Sequence, residues 1–146
     1  MFSKACQYAI RATLHIAATT ATDERVGVTA IAKATGSPEA FTAKVLQKLV
    51  KAGLIGSMKG PGGGFTLTEA RAKKVKISAI VDAIDGDSVY TGCALGLSKC
   101  SSEKPCPIHD RFKSIRDDLS DLLERTSVHD LSIGLGEGIR AHVLKG

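Results

Sequence analysis

The stretch that decides the fold runs from residue 37 to residue 68 and reads SPEAFTAKVLQKLVKAGLIGSMKGPGGGFTLT. Ser37 is predicted to be an N-cap, followed by a proline and an acid in the first turn, so a helix should run to about Ala52. Short strands are predicted at 54–58 and 65–68, on either side of a loop that contains four glycines. The stretch therefore predicts a helix followed by a β-hairpin.

Two helices are predicted before this stretch. Apolar residues recur at helical spacing between residues 2 and 20 and again between residues 28 and 35, where Gly36 ends the second helix. A helix, a helix-turn-helix and a basic hairpin in that order form a winged helix, in which the second helix of the pair lies in the major groove of DNA. Residues 1–76 are therefore predicted to form a winged helix-turn-helix DNA-binding domain.

The charge of the chain is divided unevenly between its two halves. Residues 1–76 carry twelve Lys and Arg against four Asp and Glu, whereas residues 77–146 carry eight against eleven. A basic half suits a polyanion such as DNA, although charge alone fits a merely solvated surface equally well. The chain opens with no signal-peptide pattern, and no apolar run approaches the roughly 18 residues of a membrane span. The sequence thus predicts a cytoplasmic protein with no membrane partner.

The second half is predicted to contain two helices joined by a loop. A helix over 77–85 ends at Gly86, a loop follows over 86–106, and an amphipathic helix occupies 107–126 before a weakly helical, glycine-interrupted tail. Pairing with a second copy would bury the apolar stripe of the long helix, and packing on the first helix is the alternative. The predicted fold class is therefore mainly α with a small β-hairpin wing, and residues 77–146 supply the loop, a dimerisation helix and the C-terminal tail.

Three cysteines and a histidine are clustered in and beside this loop. Cys93, Cys100, Cys106 and His109 follow the spacing C-x6-C-x5-C-x2-H, and thiolate and imidazole ligands suit zinc or an iron-sulfur cluster. The spacing is looser than in structural zinc sites, which favours a cluster, while a metal-free thiol switch is the main alternative. No third group that would orient a thiolate-imidazole pair is evident, so an enzyme is not expected. Cys6, on the first helix, is predicted to be a packing residue.

Particular segments carry a family resemblance. These are YAIRA at 8–12, KLVKAGL at 48–54 and GPGGGF at 60–65, together with the cysteine series. To about residue 125 the sequence resembles the Rrf2 family of repressors, of the IscR and NsrR type. The resemblance implies a homodimer whose long helices cross and an iron-sulfur cluster close to the dimer interface. It also implies that operator affinity changes when the cluster is lost, reduced or modified by nitric oxide or iron shortage.

The resemblance also assigns ligands. Cys93, Cys100 and Cys106 match the ligand cysteines, and His109 matches the histidine that completes a [2Fe-2S] site in the IscR branch. In the NsrR branch an acid on the first helix of the partner completes a [4Fe-4S] site, and Gln7 stands at the matching position here. A [2Fe-2S] cluster is therefore favoured over a [4Fe-4S] cluster.

On the DNA side, the base-reading positions of the family fall on Pro38, Ala40 and Ala43, where IscR has hydroxyls and an acid. A different operator is therefore expected. Lys59 stands in the wing where IscR has an arginine, and a lysine would still favour a narrow minor groove. The predicted DNA-contacting residues are Pro38, Glu39, Ala40, Thr42, Ala43, Lys44, Gln47, Lys48, Lys59, Gly60, Pro61 and Gly62.

The predicted function combines these features. We expect a repressor that binds double-stranded operator DNA as a homodimer and senses redox, nitric oxide or iron status through its cluster, without a small-molecule substrate. The alternative is a metal-free or zinc-bearing regulator of the same fold that responds to thiol oxidation.

Overall fold

The computed structural model describes residues 1–20, 24–98, 101–135 and 142–144. Helices alternate with one antiparallel hairpin in these ranges. In chain order the elements are α1 (Lys4–Thr19), α2 (Val28–Thr35), α3 (Glu39–Lys51), β1 (Gly56–Met58), β2 (Gly64–Thr66), α4 (Glu69–Ala72), α5 (Ile77–Asp85), α6 (Ser88–Thr91), α7 (His109–Arg125) and α8 (Val128–Ile133). The predicted fold class, mainly helical with a small wing, is confirmed.

The turn between α2 and α3 differs from the sequence prediction at one position. Gly36 takes a left-handed conformation with φ of 66° and ends α2, as expected. The N-cap of α3 is Pro38 and not Ser37, and no side chain caps the helix. The Ser37 hydroxyl instead hydrogen-bonds to the hydroxyls of Thr35 and Thr42. These bonds tie the end of α2 to the start of α3 and replace a conventional cap.

The hairpin is shorter than predicted and is anchored to the rest of the molecule. Its strands pair with Ser57 opposite Phe65, and Leu54 and Ile55 lie outside β1. An isolated bridge joins Phe65 to Val26, with N–H to carbonyl bonds of 3.0 and 2.8 Å. The wing is therefore fixed to the segment that leads into α2.

Two short helices, α4 and α6, were not predicted from sequence periodicity, and a third, α8, lies in the tail that was predicted to be weakly helical. Thr68 caps the four-residue α4, and α6 lies inside the predicted loop. A capping box between Ser127 and Asp130 begins α8 within the predicted tail. Helices of four to six residues are too short to show a repeating apolar pattern. The part of the tail at 136–141 lies outside the described residues.

One apolar core extends through both halves of the chain. α1 packs against α2, α3, α5 and α8, and α7 packs against α5 and α6. The buried residues that join the two halves include Ile16, Ile31, Leu46, Leu49, Ile80, Val81, Leu123 and Val128. The start of α5 is further fixed by an Ile77 N–H bond of 2.9 Å to the Thr126 carbonyl oxygen. The predicted boundary at residue 76 thus falls inside a shared core, which couples the hairpin half to the cysteine half.

Candidate functional site

The outer face of α3 presents a polar, mainly basic surface. Because Val45, Leu46 and Leu49 are buried against the core, the remaining side of the helix faces outward. The exposed residues that were predicted to contact DNA are Pro38, Glu39, Ala40, Lys44, Gln47 and Lys48, and Ala43 is half-buried beside them. The structure therefore brings these predicted positions together on one face.

Thr42 is separated from the other predicted positions on α3. Its side chain is only 3% exposed. Its hydroxyl donates to the Pro38 carbonyl oxygen at 2.9 Å and also hydrogen-bonds to Ser37. The predicted contact of Thr42 with DNA does not fit this arrangement, since burial and local hydrogen bonds hold its side chain against the turn.

The glycine loop holds the tip of the hairpin in a tight conformation. Lys59, Gly60, Pro61 and Gly62 are all exposed at this tip. A Cβ at Gly63 would lie 2.3 Å from the Met58 carbonyl oxygen, and one at Gly64 would lie 2.8 Å from that of Val26. Side chains are therefore excluded at both positions, and the close approach of the backbone orients the wing and its lysine.

The cysteine loop, residues 86–106, brings two of the predicted thiol ligands close together. Cys93 and Cys106 are both half-buried, and the side chain of Cys106 lies close enough to Cys93 to affect the pKa of its thiol. Backbone N–H groups of Leu97 and Leu95 donate to Cys93 Sγ and lower the pKa of this thiol, with smaller contributions from Cys106 and the positive charge of Arg116, although burial opposes them. The thiolate form of Cys93 is thus favoured relative to that of an isolated cysteine. Cys100 lies outside the described residues.

His109 lines a different cavity from the one beside Cys93. It is 6% exposed and its backbone N–H donates to the Cys106 carbonyl oxygen at 3.0 Å. The residue lines a cavity of about 280 Å³ together with Tyr90, Thr91, Ser102, Lys113, Arg116 and Asp117. Among the described residues, no group of three or more His, Cys, Asp or Glu is arranged to hold a metal ion. The structure therefore does not bring His109 together with Cys93 and Cys106.

Arg116 anchors the cysteine loop to α7. The residue is 6% exposed, and its Nη1 donates to the Gly92 carbonyl oxygen at 2.6 Å. Its guanidinium also lies 5.5 Å from the centre of the Phe112 ring. Arg116 lines the cavity of His109 and also a second one, of about 390 Å³, beside Cys93. It therefore places a positive charge directly behind the loop that carries the thiols.

One side of α7 is apolar and uncovered in the part of the chain that the structure describes. Ile108, Ile115 and Leu122 are 42%, 62% and 61% exposed. They recur every seven residues, which places them along one stripe of the helix. Leu123 and Arg116 are buried on the other side of α7.

Cys6 takes no part in the cysteine site. It is fully buried in α1, as predicted for a packing residue. Burial, followed by the neighbouring Asp85 carboxylate, raises the pKa of its thiol to about 12. The neutral Cys6 thiol therefore packs from α1 toward the end of α5, where Asp85 lies.

The comparison with known proteins identifies the family. A profile of the Rrf2 family, described as an iron-dependent transcriptional regulator, matches residues 2–133. The chain belongs to the Rrf2 family. It is 33% identical over 133 residues to a protein of Aquifex aeolicus that is named as an HTH-type transcriptional regulator, with 90% of each chain covered. Over 125 residues it is 29% identical to IscR of Vibrio campbellii, and this match covers 86% of this chain and 73% of that protein.

Solved structures share the fold of this Rrf2 chain. CymR, the global cysteine regulator of B. subtilis, superimposes with a TM-score of 0.75 at 17% identity, covering 93% of this chain and 98% of the other. IscR of T. potens superimposes with a TM-score of 0.71 at 18% identity, covering 94% and 90%. Together with the family match, these relatives make the Rrf2 chain a transcriptional regulator whose partner is DNA. Its relatives are named as regulators and not as enzymes, in agreement with the sequence prediction.

Two residues of the Rrf2 site were missed by sequence reasoning. Sequence analysis gave Arg116 no role, although helical spacing places it in line with Phe112, Leu119 and Leu123 on the apolar side of α7. A charged residue at an apolar position of the helix was the signal that could have identified Arg116. Thr29 carried no signal, because its hydrogen bond to Glu39 joins two helices across a turn.

The described residues also contain no helix that is long and apolar enough to span a membrane.

Proposed function

We propose that this Rrf2 regulator binds operator DNA as a homodimer and that an iron-sulfur cluster, held by Cys93, Cys100 and Cys106, controls its affinity for the operator. The observation that carries the sensing part is the proximity of the Cys106 side chain to the Cys93 thiol. Two N–H groups donate to Cys93 and favour its thiolate, which is the form that ligates iron. When bound, the cluster would supply an iron centre that reacts with oxidants or nitric oxide or responds to iron supply.

His109 is the proposed fourth ligand of a [2Fe-2S] site. It shares one turn with Cys106 through the bond between their backbones. Because His109 lines the cavity of Arg116 and Tyr90, ligation would require its imidazole to be directed toward the cysteines. Ligation would then move the start of α7, since His109 is the first residue of that helix.

The exposed stripe of α7 is the proposed dimer interface. Ile115 and Leu122 are too large and too exposed to be ordinary surface residues along one helix face, and a second copy of the same stripe would cover them. Operators with two-fold symmetry require a reader with the same symmetry. The dimer would thereby join two α3 helices, and the lysines of each wing would lie near phosphates or the minor groove.

The dimer is tested by measuring mass in solution with sedimentation equilibrium. We expect Ile115→Glu to give a monomer, because a carboxylate would be buried in the apolar interface. Ser114→Glu is the matched control, since Ser114 is exposed one position away. A dimer that survives Ile115→Glu would place the interface elsewhere on the molecule.

The cluster is tested by the iron and acid-labile sulfide content and the visible spectrum of protein purified without oxygen. Wild-type protein should contain matched iron and sulfide with a charge-transfer band, and Cys93→Ser or Cys106→Ser should lose both. Cys6→Ala is the matched control, because this cysteine is buried away from the loop and should leave the spectrum unchanged. A colourless protein without iron or sulfide after anaerobic reconstitution would contradict the cluster.

A thiol switch is the second candidate function, and the same proximity of Cys106 to Cys93 favours it. With hydrogen peroxide as oxidant, the thiols of Cys93 and Cys106 would form a disulfide while the peroxide is reduced to two waters. Titration of free thiols should then show a loss of two per chain, which Cys93→Ser abolishes. Operator binding that responds to peroxide in iron-free and zinc-free protein would favour this switch, whereas zinc with an unchanged thiol count would favour a zinc-bearing regulator.

A further inference from the structure

The acid at the start of α3 is not explained by general attraction to DNA. Glu39 is the one acidic residue in this helix, which otherwise carries Lys44, Lys48 and Lys51. An exposed carboxylate beside DNA is repelled by the phosphates and weakens binding that is not sequence-specific. An acid at the start of the helix that contacts the bases must therefore contribute to sequence recognition, or it only stabilises the helix.

The carboxylate is held in a defined position by the other helix of the pair. Thr29 lies in the first turn of α2, and its Oγ1 donates to Glu39 Oε1 at 3.0 Å. The second oxygen, Oε2, forms no hydrogen bond with any residue that the structure describes. One oxygen is thus fixed from α2, and the other can accept a hydrogen bond from a partner in front of α3.

The residues next to Glu39 have no side-chain group that is available to hydrogen-bond to a base edge. Pro38 and Ala40 are exposed but have no polar side-chain atoms, and Ala43 is half-buried behind them. The Thr42 hydroxyl is already bonded to the Pro38 carbonyl oxygen. In a helix-turn-helix, the first residues of the second helix contact the base edges, so the polar group in the reading position here is the Glu39 carboxylate. The small apolar neighbours suit contact with a thymine methyl group.

We infer that Glu39, held by Thr29, is a specificity residue that accepts a hydrogen bond from the N4 amino group of a cytosine in the major groove. Guanine and thymine present acceptors at the matching edge, and adenine places its N7 acceptor next to its amino group, so each of these bases repels a carboxylate. The inference rests on the proposed operator binding and specifies what one position of that operator should be.

A purely structural role for Glu39 makes a different prediction. An acid in the first turn stabilises a helix by interacting with its dipole, whatever DNA is bound. Glu69 offers a matched control, because it is also the first residue of a helix and is exposed, but α4 packs on α8, and its Arg71 donates to the Gly53 carbonyl oxygen beyond the opposite end of α3 from Glu39. Loss of the charge at Glu69 should leave the operator sequence unchanged.

The experiment is selection of bound duplexes from a randomised DNA library by the full-length protein, followed by affinity measurement on single-base variants. Wild-type protein should enrich a cytosine at one position of each half-site, and replacing that pair should weaken binding about 5- to 150-fold. Glu39→Gln should lose this preference or shift it to adenine, which a glutamine can bind through N6 and N7. Glu69→Gln should retain the wild-type motif.

The role of Thr29 is measured in the same assay. Thr29→Val keeps the shape of the side chain but removes the donor, and it should reduce discrimination at the cytosine position alone, while Thr29→Ser retains it. A wild-type motif that Glu39→Gln leaves unchanged would overturn the assignment of Glu39 while operator binding stands. A wild-type protein that enriches no motif would overturn both. If Thr29→Val discriminates at the cytosine position as well as the wild-type protein does, then Thr29 on α2 does not position Glu39.

Discussion

The reading half, residues 1–76, and the cysteine loop are held by different kinds of contact. In the reading half, Ile31, Leu46 and Leu49 are fully buried, and the groups that face DNA lie on the outside of a packed helix. In the loop, Leu95 and Leu97 are exposed, while hydrogen bonds to Cys93 and from Arg116 supply the order. The proposed chemical change at the thiols would therefore rearrange the loop while the reader remains folded.

The largest expected effect separates the two regions by stability. Leu46→Ala should lower the free energy of unfolding by about 2–5 kcal/mol, because it leaves a cavity in the core of the reader. Leu97→Ala should change it by less than about 0.5 kcal/mol, because that side chain is already exposed. Urea denaturation of both variants measures the difference. Similar losses in the two variants would remove the distinction between a packed reader and a loosely held loop.

A second prediction concerns the anchor of the loop. Arg116→Gln should cost about 1.5–3 kcal/mol of local stability, since it removes a hydrogen bond from a charged donor to the Gly92 carbonyl oxygen. Hydrogen exchange in the segment 86–98 should become about tenfold faster or more, whereas exchange in α3 should not change. Arg111→Gln, an exposed arginine on the same helix, is the control. Unchanged exchange at 86–98 would show that other contacts hold the loop.

A third prediction concerns the pH dependence of the free energy of unfolding, which should depend on Cys6 in α1, close to the end of α5. Because burial raises the pKa of Cys6 to about 12, the unfolded chain loses this proton first as the pH rises. The stabilisation is complete below the unfolded pKa of about 8.5, and above it the free energy of unfolding should fall by up to about 1.4 kcal/mol per pH unit. Denaturation at pH 8, 9 and 10 checks this slope. Cys6→Ala should remove that part of the slope, and an identical slope in the variant would contradict the assignment.

The smallest effect is expected at the tip of the wing. Lys59→Ala should weaken binding about three- to tenfold across DNA sequences and reduce the salt dependence of binding by about one phosphate contact. Lys113→Ala is the control, because this exposed lysine lies on α7. Titration at several salt concentrations measures both quantities. A loss that is confined to one operator sequence would argue against a phosphate or groove contact.

Several of the longer helices could be predicted from local patterns. The bounds of α2 and α5 agree with periodicity and with the glycines that follow them, since a 3.6-residue repeat and a left-handed terminator are local signals. Ser37 was assigned as a cap because its type suits that position, yet its hydroxyl bonds to Thr35 and Thr42. The error shows that a cap depends on which competing partners are nearby in the folded chain.

The sequence alone determined the order of the longer elements, the glycine wing with its lysine, the basic face of α3 and the types of side chain that could ligate a metal. These follow from local propensity, charge and spacing. The tertiary structure decided that Thr42 is buried, that Cys93 lies close to Cys106, that His109 lines another cavity and that Arg116 holds the loop. Such features depend on contacts between residues that are distant in the chain or on the direction of one side chain, and neither leaves a repeating pattern in the sequence.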